Sequence, residues 1–198
     1  REAWKTTPTK EYDAKIKEVM KSLEQRLKKL GLTDVQLKSR NIIGKIEDGV
    51  TEGQSMINQK AAKSVITLAT RLYDPSLDQQ TLEAKLGSVM NHEIIHSLVD
   101  LGLLSPEEIK ILARNAAKIR YVDDKGNRRL FSFLDRAKRM YPEDENISEE
   151  LQQEEAIAEM FRAWAEGKLK VPGAQQTYFQ RIVNFFKELF GAHKDNGF

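Results

Sequence analysis

Cysteine is absent from this 198-residue chain, and that absence closes two routes at once. No disulfide framework can staple the fold and no thiolate can grip a metal, so any cation must be held by histidine and carboxylate. A cysteine-free chain also suits a reducing compartment. Charge of one sign is missing too: 32 Lys and Arg stand against 30 Asp and Glu, for a formal net charge of +2. With the two signs evenly mixed there is no basic stripe of the kind that neutralises phosphates, and nucleic acid is not expected as a partner. No apolar run approaches the roughly 18–20 residues of a membrane span, and no secretory apolar segment opens the chain. The compartments compatible with these absences include the cytoplasm and a virion. Histidine is scarce, with three in all.

What remains is enough to build a core. Apolar residues make up 40% of the chain and charged ones 31%, which are globular values for a length that fits one domain. Apolar positions at Tyr12, Ile16, Val19, Met20, Leu23, Leu27 and Leu30, followed by Gly31, predict an amphipathic helix over about 11–30. Residues 1–33 are thus expected to pack as a helix on a core spanning 34–170, with an amphipathic helix and tail over 171–198. The opening on Arg1 is what a piece excised from something longer would show.

Within the core, "DVQLKS" alternates, "GQSMIN" is short and glycine-led, and "KSVITLATRL" is β-branched, so two or three strands of a small sheet are expected. A broadly apolar helix follows over about 81–101, ended by Gly102. Ser105, Pro106 and Glu108 form a capping box with proline at the first helical position. "DDKGN" predicts a turn, "RRLFSFLDRAKRMYP" a helix stopping before Pro142, and Ser148 to Gly167 another helix. The fold class expected is α+β, mostly helical, with the small sheet ahead of the central helix.

One stretch carries chemistry. In "NHEIIHSLVDLG", His92 and His96 stand four apart with Glu93 directly after the first. On a helix, side chains four apart share a face, so both imidazoles can reach one zinc ion. Glu93 lies about 100° further round, flanking the metal, where a carboxylate serves as general base for water. Embedding two histidines and a glutamate in an apolar helix is costly unless they have partners.

A third ligand must come from elsewhere. His193 sits in a terminal tail beyond a glycine, a poor place for a rigid ligand. The helix "QEEAIAEMFRAW" is the better source: Glu155 and Glu159 share a face, while Ala156 and Ala158 would let it approach the histidine helix closely. One carboxylate can then ligate while the other accepts the N–H of a ligating imidazole. Glu154 points about 100° away and is expected as a solvated charge. Tyr121 and Tyr141, between the two motifs, are the candidate transition-state donors.

"SVMNHEIIHSL" resembles the extended zincin pattern, with Val89 three residues before the first histidine, and "EEAIAEMF" looks like the second motif helix of thermolysin-type gluzincins. The resemblance implies Glu155 as third zinc ligand, and Glu159 as the supporting acid, with Glu where that pattern usually has Asp. It implies a zincin-like fold and a zinc metallopeptidase, taking peptide or protein as substrate. The run "TLEAKLGSVMNHEIIHSLVDLGLLSPEE", with "EEAIAEMFRAW" beyond it, is also similar to metallopeptidase domains embedded in large polyvalent phage proteins, which implies further domains of a parent chain as partners. In zincins the edge strand beside the metal helix can bind an extended peptide, and the segment Val65 to Leu68 is the expected strand near that site. Two other readings share these residues: a zinc hydrolase acting on a non-peptide bond, and a non-catalytic module of a larger assembly.

Overall fold

The structure is a computed structural model that describes residues 9–29, 35–40, 53–58, 63–70, 73–123, 125–143, 147–170 and 179–180. The first helix, α1, spans Lys10–Lys29 and buries Tyr12, Ile16, Val19, Leu23 and Leu27 along one stripe. Its inward face is tied down by hydrogen bonds as well as carbon: the Tyr12 hydroxyl donates to Thr70 O at 2.5 Å, and Arg26 donates to Asn91 Oδ1 at 3.2 Å. The expected Gly31 cap lies outside the described residues.

Three strands follow, β1 (Val35–Arg40), β2 (Gly53–Asn58) and β3 (Lys63–Ala69), in the order β1-β3-β2. β3 runs parallel to β1, with Val35 opposite Ser64, and antiparallel to β2, with Gly53 opposite Leu68. Val35 and Leu37 turn into the core while Gln36 and Lys38 face out, the period of two that alternation predicts. Val65 to Leu68 do form a strand, as expected, but not an edge that could receive a peptide. These residues lie in the central strand, both of whose sides are already paired, so its backbone has nothing left to offer a peptide. Among the described residues the open edges belong to β1 and β2, and β2 is one of the two strands that pack against the next helix.

That helix, α2 (Gln79–Asp100), is the axis of the molecule. Asp78 caps it, accepting from Thr81 N at 2.8 Å. It ends where Gly102 turns left-handed at φ +67°, with Leu103 N reaching back to Leu98 O at 2.9 Å. Such a reversal spares the last carbonyls and favours glycine. The sheet and α1 cover one side and α5 the other, so α2 is buried almost all round, from Leu82 and Leu86 through Met90 to Ile95 and Leu98.

α3 (Pro106–Lys118) starts on the expected capping box, with Ser105 N donating to Glu108 Oε2 at 2.8 Å. Beyond it the chain departs from expectation. The segment read as one helix before Pro142 divides into a strand, β5 (Arg128–Ser132), and a short helix, α4 (Phe133–Met140). β5 pairs antiparallel with β4 (Arg120–Val122). The turn between them decides this: Asp123 accepts from Lys125 N and Asn127 N at 3.0 and 2.9 Å, and Gly126 sits at φ +82°, folding the chain into a hairpin. Ser132 and Asp135 then form a second capping box that starts α4 only at Phe133.

α5 (Glu149–Ala165) opens on Ser148 and closes on Gly167 at φ +71°. Phe161 and Trp164 meet Phe179, with ring centroids 5.6 and 5.4 Å away. The expected helix over 175–190 otherwise lies outside the described residues, as does His193. At this level the molecule is mostly helical with a small sheet, an α+β protein. No helix among the described residues is long and apolar enough to cross a membrane.

Candidate metal centre

α2 and α5 pack face to face, and their contact brings the two motifs together. Ala156 and Ala158 are fully buried, and side chains that stop at Cβ let two helices approach closely. His92 and His96 project from α2 into this seam, their ring centroids 5.0 Å apart. Glu155 projects from α5 to meet them.

The contacting atoms converge. The two Nε2 atoms lie 3.2 Å apart. Glu155 Oε2 lies 3.2 Å from His92 Nε2, and Oε1 3.6 Å from His96 Nε2. Tetrahedral zinc at about 2.0–2.1 Å from its ligands holds them about 3.3–3.4 Å from one another. The three groups therefore stand at the mutual spacing of ligands around one small cation.

Hydrogen bonding sharpens this. His96 Nδ1 is 2.5 Å from Glu154 Oε1, so in the neutral imidazole Nδ1 carries the proton donated to that carboxylate and Nε2 is the nitrogen left with a lone pair. Glu155 Oε2 is buried with no hydrogen-bond partner among the described residues, despite its ion-pair distance to His92. Lone pairs aimed at one another across 3.2 Å repel unless a proton or a metal ion lies between them. The triad is thus a donor set that a cation completes, and His92, His96 and Glu155 fit one divalent ion. Nitrogen and oxygen donors of this type suit several divalent first-row metals.

Each histidine has its own acid. Glu154 serves His96, and Glu159 Oε1 lies 3.7 Å from His92 Nδ1 while its Oε2 binds Arg162 at 2.8 Å. Glu159 is therefore the acid on the Nδ1 side of His92, beyond hydrogen-bond distance of it, and one half of an ion pair. The expectation for Glu154 as a solvated surface charge is corrected: its side chain is mostly buried, at 20% exposure, and engages a histidine. Neither helix alone carries a signal for this contact, which depends on their relative direction. α2 and α5 cross the site antiparallel, so a step forward from His92 to His96 is matched by a step back from Glu159 to Glu154.

These charges act on each other. Burial opposes an imidazolium at His96, but the Glu154 hydrogen bond and the Glu155 and Glu93 carboxylates outweigh it and lift its pKa to about 9. Burial likewise works to raise Glu155, yet His92, His96 and the Tyr141 hydroxyl hold it below the usual carboxylate range. Glu93 is buried at 7% exposure, close enough to His96 to contribute to that lift.

Of the two candidate tyrosines the structure brings one to the cluster. Tyr141 follows α4, where Gln152 Nε2 donates to its carbonyl at 2.7 Å and fixes it against α5. Its hydroxyl donates to Glu155; burial, with Glu155 and Glu159 adding their charge, pushes the phenol up to about 12, so it stays an O–H donor. Tyr121 is elsewhere, in β4, edge-on to Phe133 at 5.2 Å and stacked on Phe131 at 5.8 Å. Gln152 carried no motif signal; its burial at 3% exposure is a consequence of α4 folding over α5. No protein-family model, no curated protein and no solved structure matches the chain.

Proposed function

We propose that this protein is a zinc-dependent peptidase of zincin-like fold, acting on a peptide or protein substrate. One observation carries the reading: two imidazole nitrogens and a carboxylate meet at ligand spacing, with one carboxylate oxygen buried and without a hydrogen-bond partner among the described residues. The likeness of "SVMNHEIIHSL" and "EEAIAEMF" to gluzincin motifs supports it, as does a glutamate directly after the first histidine. The further likeness to polyvalent phage proteins fits a module that works within a longer chain.

His92, His96 and Glu155 would hold the ion. Zinc bound there would supply Lewis-acid polarisation of a carbonyl and a more acidic water. Glu93, off the ligand face by one residue, takes the proton as water attacks the scissile carbon and delivers it to the departing amine. Glu154 holds His96 in the tautomer that leaves Nε2 free, with Glu159 on the Nδ1 side of His92. Tyr141 keeps its proton at neutral pH, and we assign its hydroxyl, once turned from Glu155 to the substrate, the donor role toward the oxyanion.

The test separates chemistry from metal binding. Glu93→Gln keeps the ligand set, so bound zinc is expected unchanged while peptide hydrolysis falls by about 10²–10⁴-fold. Hydrolysis undiminished in that variant would overturn Glu93 as the base.

A further inference from the structure

We propose that the groove between the β4–β5 hairpin and α4 recognises a carboxylate of the peptide substrate. Its place in a reaction rests on the peptidase reading above; its binding chemistry stands apart from it. The groove has a volume of about 400 Å³. Its floor is aromatic: Tyr121 and Phe131 stack with an interplanar angle of 9°. Over these rings lie two cations from α4, the Arg136 guanidinium 4.7 Å from the Tyr121 centroid and the Arg139 guanidinium 4.5 Å from that of Phe131.

The charge in this groove is unbalanced. Among the described residues, Arg129, Arg136 and Arg139 line it against one acid, Asp123, and that acid is occupied by Arg129 at 2.7 Å. Arg136 Nε is buried with no hydrogen-bond partner among the described residues. Stacking occupies the flat face of a guanidinium and leaves its N–H edge free, and that edge matches a carboxylate through paired hydrogen bonds. Held on rings, the two guanidiniums are already oriented, so less freedom is lost on binding.

Position links the groove to the metal centre. Met140 lines it, at 59% exposure, and the next residue, Tyr141, has its hydroxyl on Glu155. A peptide whose scissile bond lies at the His–His–Glu cluster and which runs past Tyr141 would lay a neighbouring residue into the groove. Charge complementarity names that residue's chemistry: a carboxylate, from an Asp or Glu side chain or from the substrate's C-terminus.

The test uses short fluorescein-labelled peptides on one Ala/Ser background, bound to the Glu93→Gln protein and read by fluorescence anisotropy. One peptide carries an internal Asp-Glu pair and an amidated end, a second Asn-Gln and a free C-terminal carboxylate, a third Asn-Gln and an amidated end. At least one of the first two is expected to bind about tenfold tighter than the third, and which one identifies the source of the carboxylate. That advantage is expected to drop below about twofold in Arg139→Gln, an exposed position, and in Arg136→Gln. Should Arg136→Gln melt early, Arg139→Gln alone decides. Equal binding of all three peptides overturns the proposal, and so does an advantage that survives in Arg139→Gln. Tighter binding of a single-stranded oligonucleotide, for which stacked rings and arginines also provide a platform, overturns it as well. Wild-type hydrolysis of the neutral peptide keeps the two readings apart. Its absence beside a clear carboxylate preference removes the peptidase and leaves the groove; its presence without a preference removes the groove alone.

Discussion

Replacing Glu154 with glutamine removes one charge and almost no volume, and it asks whether this acid belongs to the metal centre. Its Oε1 is 2.5 Å from His96 Nδ1, and the two side chains are 20% and 14% exposed, so solvent screens the pair weakly. A glutamine oxygen can still accept from Nδ1–H, but the contact loses its charge assistance, and His96 becomes a poorer electron donor through Nε2. Removing such an outer partner typically weakens metal affinity by about 10–100-fold, or about 1.4–2.8 kcal/mol. The measurement is zinc competition with a chromophoric chelator, and it belongs near pH 9, where His96 is already losing its proton. At lower pH, losing the Glu154 charge also eases displacement of that proton, which offsets part of the effect. A surface charge would give affinity within about twofold of wild type, and that outcome would refute the link between Glu154 and the ligand. Glu149→Gln, exposed one turn earlier on α5, is the matched control.

The same imidazole sets a pH dependence. Its folded-state pKa is raised from 6.5 to about 9, so in metal-free protein the stabilisation it brings is complete below 6.5 and is lost as pH climbs through 9. Thermal melts of chelator-treated protein should decline across that window, and a flat profile would contradict the His96–Glu154 pairing. Zinc must displace that proton, so its apparent affinity should climb about tenfold per pH unit from neutrality and level off where the proton is gone; titrations at a series of pH values check this, and a pH-independent affinity would count against His96 as a ligand. Ala158 is fully buried on α5, so a larger side chain must displace its neighbours. Ala158→Leu should destabilise by about 1–3 kcal/mol, read as an earlier melt, and an unchanged melting temperature would mean that α5 is less tightly packed than described.

The sequence disclosed most where the physics is local. α1 announced itself by a stripe repeating every three to four residues, and α3 by a serine, a proline and a glutamate in the right order. Gly102 ended α2 because the reversal needs a left-handed residue. His92 and His96 were legible as a pair because two side chains one turn apart are a statement about a single helix, while Glu155 was singled out from Glu159 by the resemblance of "EEAIAEMF" to the gluzincin motif; the three do stand together. What escaped depended on two elements at once. β5 resembles the start of a helix until Asp123 and Gly126 turn the chain back onto β4. Val65 to Leu68 read as a strand, but whether a strand is central or marginal is decided by its neighbours. Glu154 looked like solvent-facing charge because the antiparallel crossing of α2 over α5, invisible in either helix alone, supplies its partner.

The central claim is that one cation is bound by two imidazoles of α2 and one carboxylate of α5. X-ray absorption at the zinc edge, on protein reconstituted with about one equivalent of zinc, tests it directly. The account predicts a shell of nitrogen and oxygen at about 2.0–2.2 Å, bearing the multiple-scattering signature of two imidazoles, with that signature weakened in His96→Ala. Zinc bound through oxygen alone, or protein that retains no stoichiometric zinc, would contradict it.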